Sequence, residues 1–263
     1  AQTSKVTGKH KPDEFLRLLF SLHQRQWSGV LSISGIRRLH KLLLLDGRVL
    51  ASSTDGMGGG KELIRSGLVT TSDISEARSQ FGEDCRIEDA LVLAERLSQE
   101  DLDAHHNTLL VTDIGLPLNW QKGSWSFTKN EALSAKMLDP SLLRSPKTSE
   151  LLWQAVSQQL DKDAVFSEVR NTDAGTWLLG PQFSEFFETF GFSPELLAFQ
   201  GMAREAGDGF DPLALYEVEG GIQMLWFLLQ LGLLRRAALP PPADPLDVES
   251  VAEEAPAEEK SNR

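Results

Sequence analysis

The stretch Leu42-Leu43-Leu44-Leu45-Asp46-Gly47-Arg48-Val49-Leu50 constrains this chain most. Two apolar runs joined by Asp-Gly form a tight β-hairpin, because the favoured two-residue turn takes positive φ at both positions and these residues tolerate it. Upstream, Val30, Leu31 and Ile33 form a strand and Gly35 marks its turn into a second strand, Leu39 to Leu45. Val49 to Ser53 is the third. None of the connections has the dozen or so residues a crossover helix needs, so the strands form an antiparallel meander.

An antiparallel meander changes the reading of the glycine run beyond it. The glycines Gly56, Gly58, Gly59 and Gly60 precede Lys61, the raw material of a phosphate loop. The pattern G-x-x-x-x-G-K-[ST], however, requires Gly at position 55 and Ser or Thr at 62, which are Asp55 and Glu62 here. Glu62 would put a carboxylate where a hydroxyl should hold magnesium, and phosphate loops sit in parallel βαβ units. The segment therefore reads as a hinge, and Gly56, Gly58, Gly59, Gly60 and Lys61 as candidates for contact with a protein partner. Arg37, Arg38, His40 and Lys41 form a basic cluster whose alternation suits a solvated strand face, which adds Arg37, Arg38 and Lys41 to the candidates.

Around the meander the period is helical. "PDEFLRLLFSLHQRQ" puts Phe15, Leu18, Leu19 and Leu22 on one face, predicting a helix from about 12 to 25. Beyond the glycines, residues 63–77 align without gaps to residues 91–105. Leu63 matches Leu91, Val69 matches Leu97, Thr70 matches Ser98, and Asp73 matches Asp101. A hydroxyl three residues before an acid is a capping-box pattern, so each copy reads as a helix, a turn and a capped second helix. "PLNWQKGSWSFTKN" (117 to 130) reads as a β-hairpin turning at Lys122-Gly123, and 131 to 146 as a connector. "SELLWQAVSQQLDKDAVFSEV", "PQFSEFFETFGF", "SPELLAFQGMAREAG" and "GGIQMLWFLLQLGLLRR" each predict a helix. After Ala237 the sequence is rich in Pro, Ala and Glu and lacks aromatics, as in a disordered acidic linker.

The expected fold is α+β. A small antiparallel meander with a helical-repeat subdomain (10–130) precedes a C-terminal helical bundle (131–236), and 237–263 forms a disordered tail. The chain opens at Ala1 without a methionine, the expectation for a processed or excised fragment.

The charge balance argues against nucleic acid, since a net charge of -12 repels phosphate backbones. One cysteine, Cys85, supports neither a disulfide framework nor a cysteine-based zinc site and fits a reducing cytoplasm. Apolar runs such as Met224 to Leu234 are shorter than the roughly 20 residues of a membrane span. His105 and His106 point about 100° apart on a helix and do not chelate one metal together. No G-x-S-x-G motif occurs. Trp153, Trp177 and Trp226 sit in apolar contexts that suit core anchors. The sequence thus points to a non-enzymatic, cytoplasmic chain without cofactor or metal.

In order, these features resemble PATAN-type domains of bacterial signalling proteins. The carriers are Ser28-Gly29-Val30-Leu31, the hairpin from Leu42 to Ala51, and Leu63-Ile64-Arg65-Ser66-Gly67-Leu68-Val69-Thr70 with its second copy ending at Leu97-Ser98. Glu219-Gly220 and Leu228 to Leu234 complete the series. The resemblance implies an adaptor that binds a response regulator, a motility or type IV pilus component, or a tethered module. The repeat also resembles the N-terminal domain of secretion and pilus ATPases, some of which bind cyclic di-GMP. That implies the alternative of a nucleotide sensor, although Gly58 stands where that motif has its arginine.

Overall fold

The computed structural model describes residues 4–35, 38–54, 59–138, 143–170, 177–206, 212–237 and 243–247. The chain enters through strand β1 (Lys5–His10) and helix α1 (Pro12–Gln24), with Pro12 in the first turn where its missing N–H costs nothing. The meander follows as β2 (Gly29–Ser34), β3 (Leu39–Leu45) and β4 (Arg48–Thr54). Its β3–β4 turn has Asp46 at φ 48° and Gly47 at φ 73°, the conformation that the Asp-Gly pair predicts. The Ser28 hydroxyl accepts from the Asp46 N–H at 2.9 Å and pins the turn.

The repeat folds as expected. Helices α2 (Gly59–Arg65), α3 (Thr71–Phe81), α4 (Ile87–Leu93) and α5 (Gln99–Gly115) bury Leu63, Val69, Ala77, Ile87, Ala90, Leu91, Leu97 and Leu102 in a core of their own. Thr70 and Asp73 complete a capping box, and the Ser98 hydroxyl accepts from the Asp101 N–H.

The expected hairpin at 117–130 is different. Residues Leu116–Asn119 form a 3-10 turn around Pro117, and only β5 (Gly123–Lys129) is a strand. Its partners are β2 on one side and β1 on the other, giving a fully antiparallel sheet in the order β1-β5-β2-β3-β4. Residues Lys5–His10, ahead of α1, thus supply an edge strand. Gly8 lies opposite Trp125, and a side chain there would meet the indole at 2.6 Å, so the ring covers the glycine.

The helical half departs from expectation in three places. The first predicted helix is broken into α6 (Thr148–Gln159) and α7 (Lys162–Arg170), with the Asp161 carboxylate accepting from the Asp163 N–H at 2.8 Å to cap the second. After β6 (Trp177–Leu179), the "PQFSEFFETFGF" segment forms a single turn, α8 (Phe183–Phe186), and a 3-10 turn (Phe187–Phe190). After α9 (Pro194–Ala206), helix α10 (Gly221–Gln230) stops short of the predicted end, and β7 (Leu234–Arg236) pairs with β6. The tail expected to be disordered holds one docked stretch: Leu246 is buried, and Asp244 and Asp247 pair with Arg25 at 2.7 and 2.5 Å. Residues 248–263 lie outside the described residues.

One core spans both halves. Phe15, Leu19, Leu31, Leu42 and Phe127 from the sheet and α1 join Leu152, Trp153, Phe187, Phe190, Phe199 and Phe227 from the helices. Burying an aliphatic or Phe side chain stabilises by about 1.5–3 kcal/mol, so this shared core couples the halves strongly. No described helix is long and apolar enough to cross a membrane.

Candidate functional site

The sheet has two unlike faces because strand side chains alternate. One face, carrying Leu31, Ile33, Leu42, Leu44, Trp125 and Phe127, belongs to the core. The other is built in rows by the strand register. One row runs Lys9, Ser124, Ser34, Leu39, and the next Thr7, Ser126, Ser32, Lys41. A third runs Lys5, Thr128, Val30, Leu43, Ala51. Lys5, Thr7, Lys9, Lys41 and Ser124 are exposed. Lys5, Thr7, Lys9, Ser32, Ser34, Ser124 and Ser126 line an open concavity of about 450 Å³.

The charge on this face runs against the rest of the molecule. Of the chain's 38 acidic residues, none falls in β1 to β5. Three lysines therefore stand among hydroxyls, with no strand carboxylate to neutralise them. Among the described residues Trp125 is the one aromatic bordering the concavity, and its ring is buried with the core beneath Gly8. It leaves no open ring on which a base could stack, as single-stranded nucleic acid requires. What the concavity offers is ammonium and hydroxyl donors toward carboxylates.

Of the basic candidates read from the sequence, Lys41 stands on this face, and Arg38 is exposed at the β2–β3 turn, where its carbonyl accepts from the Gly35 N–H at 2.9 Å. Arg37 lies outside the described residues. His40 does not belong with them. It is 1 % exposed on the inner face, its Nδ1 3.6 Å from Asp113 Oδ1 of α5 and its ring edge-on to Trp120 at 5.0 Å. Burial raises the Asp113 carboxyl above its usual range, while a Ser52 hydrogen bond and His40 act in the opposite sense. Nearby, His10 is buried with its Nε2 2.9 Å from the Pro117 carbonyl oxygen. These groups lie behind the sheet and fasten it to α5 and the 3-10 turn.

The glycine candidates divide similarly. Gly56 and Gly58 lie outside the described residues, whereas Gly59 and Gly60 form the first turn of α2 rather than a loop. A Cβ on Gly60 would come within 3.1 Å of Ile74 and 3.6 Å of Ile87, so this glycine lets α2 approach α3 and α4 closely. Lys61 is exposed on α2, and Glu62 pairs with Arg65 at 3.3 Å. Gly60 thus packs within the repeat, and Lys41 stands on the sheet.

Sequence reasoning missed Lys5, Lys9 and the hydroxyl rows. Their signal is the alternation K-x-T-x-K at 5–9, S-x-S at 32–34 and S-x-S-x-T at 124–128. Among the described residues, no cluster of three or more His, Cys, Asp or Glu could hold a metal ion. Scans against protein-family models, curated proteins and solved structures gave no match.

Proposed function

We propose that this chain is a non-enzymatic interaction module that docks an acidic protein partner on the open face of its sheet. The observation that carries this reading is the lysine and hydroxyl face, free of strand carboxylates, on a chain of net charge -12. Such charge segregation favours one class of partner and disfavours others. With the resemblance to PATAN-type domains, the proposed setting is a bacterial cytoplasm. The partner there is a response regulator, a pilus or motility component, or a tethered module.

The test is comparative capture from bacterial lysate by the immobilised full chain. A specific partner is expected on the wild type and on Lys61→Glu, and is expected to be lost on the triple variant Lys5→Glu, Lys9→Glu, Lys41→Glu. All of these positions are exposed, and an unchanged circular dichroism spectrum verifies folding. Equal capture by the triple variant would remove the sheet face from the proposal.

A further inference from the structure

The open face ends at an edge, and the backbone of that edge shares its residues with the lysines. The Ser4 carbonyl accepts from the Lys129 N–H at 2.9 Å, which sets the phase of the β1–β5 ladder. In an antiparallel pair, successive residues alternate between pointing both backbone groups at the neighbour and pointing both away. Ser4, Val6, Gly8 and His10 therefore face β5, while Lys5, Thr7 and Lys9 present their N–H and C=O groups outward. Among the described residues β1 is the last strand on its side of the sheet, and these three residues are exposed. The opposite edge differs: at β4 the Val49 N–H donates to the Thr148 hydroxyl at 2.9 Å, and Arg48 donates to the Ser145 carbonyl at 2.7 Å.

We infer that β1 takes an extended acidic segment of a partner protein as a sixth strand, with carboxylates beside Lys5 and Lys9. This rests on the docking reading above and specifies its mode and chemistry. A strand laid on this edge bonds to the outward groups of Lys5, Thr7 and Lys9. Its residues opposite them then share their face, with Cβ atoms about 5.5 Å away. Lys5 and Lys9 are four residues apart, about 13 Å along a strand. The partner is therefore an extended segment with Asp or Glu at i and i+4 and a small polar residue at i+2 opposite Thr7. Apolar residues at i+1 and i+3 fall beside Val6 and Gly8, on the side where Val6 meets the core. On an α-helix the same two acids would be only about 6 Å apart and would miss the pair. Lysines on an edge strand also discourage self-pairing, so the device that repels a second copy of this chain selects an acidic guest.

The experiment uses the full chain and a fluorescent peptide with Glu at positions 2 and 6, Thr at 4 and Val at 3 and 5. Fluorescence anisotropy is expected to show saturable binding, weakened at least tenfold by Lys5→Glu with Lys9→Glu. Moving the second Glu to position 5 is expected to cost a similar factor. Thr7→Pro keeps every charge but removes one outward N–H at an edge position that accepts proline, and is expected to cost at least tenfold. A peptide N-methylated at the Thr gives the same comparison with the protein untouched.

Binding that needs the lysines but tolerates both backbone blocks would overturn strand addition while keeping the docking face. Failure of any acidic peptide to bind would overturn the inference outright, whereas the lysate comparison judges the docking face independently. Equal binding of a DNA oligonucleotide, or self-association blocked by Thr7→Pro, would overturn the assignment to an acidic protein segment. A variant carrying Glu249→Gln and Glu253→Gln that bound the peptide tenfold more tightly would make this chain's own acids the occupant, also against it.

Discussion

The two copies of the helical repeat solve one structural problem with different residues. Each ends its first helix in a left-handed residue: Gly67 at φ 76° in the first copy and Glu95 at φ 56° in the second. The closing hydrogen bonds correspond, Leu68 N–H to Leu63 carbonyl and Arg96 N–H to Leu91 carbonyl, at 3.1 and 2.9 Å. Each then begins its second helix with a hydroxyl cap, reciprocated by the Asp73 carboxylate and the Thr70 N–H at 2.8 Å in the first copy. The Arg96–Glu76 ion pair joins the copies. The difference teaches that the turn geometry belongs to the architecture, since glutamate adopts a conformation that costs a side-chain-bearing residue about 1 kcal/mol or more.

The sharpest way to break the comparison is to empty matched positions. Leu63 and Leu91 are 1 % and 0 % exposed, and Leu63→Ala and Leu91→Ala should each cost about 3 kcal/mol. Equal losses in denaturant titrations are expected if the copies share one core; a loss confined to one copy would divide it. Next comes the cap, where Thr70→Ala should cost about 1 kcal/mol and Ser98→Ala less, the full capping box belonging to Thr70. Thermal melts of the two variants rank them.

A gain is expected from Glu95→Gly, about 0.5–1 kcal/mol, because glycine takes positive φ without steric cost. Gly67→Ala should lose a similar amount, and opposite shifts in Tm would verify the shared geometry.

The smallest effect separates the copies by pH. At the 28-residue offset between the copies, His105 and His106 on α5 stand where Ala77 and Arg78 stand on α3. Burial lowers both imidazoles below the ordinary value; repulsion between the rings adds to this at His105, while Glu88 and Asp103 oppose it at His106. His23 on α1 is lowered by burial too, against a hydrogen bond with the Gly47 carbonyl. Below about pH 6.5 the unfolded chain therefore binds more protons than the folded one, so stability present at neutral pH is lost as pH falls. Tm should drop between about pH 7.5 and 5.5, and His106→Gln should flatten that slope. An unchanged slope would place the dependence elsewhere.

How much of the fold the sequence disclosed depends on how local each signal is. The Asp46-Gly47 hairpin, α1 and the repeat rest on turn chemistry, caps and apolar spacing within about 15 residues. The β1–β5 pairing joins residues more than a hundred positions apart, and "KVTGKH" has only Val6 to mark a buried side. Trp120 looks like a hairpin anchor, yet it leaves the sheet and lies edge-on to His40. The basic cluster at 37–41 alternates as its sequence indicates, but alternation sends His40 inward and Lys41 outward. The candidate face was legible only in fragments, because its rows are assembled from strands in the spatial order 1-5-2-3-4.

The segregation of charge between the sheet and the rest of the chain has a kinetic consequence. An acidic segment approaching from afar meets the field of a body carrying -12, and only within a Debye length, about 8 Å at physiological salt, do the lysines dominate. Adding salt from a low starting point first screens the distant repulsion and then weakens the short-range attraction. Association with an anionic partner should therefore pass through a maximum rate at intermediate ionic strength. A uniformly acidic protein would show only the rise, and a uniformly basic one only the fall.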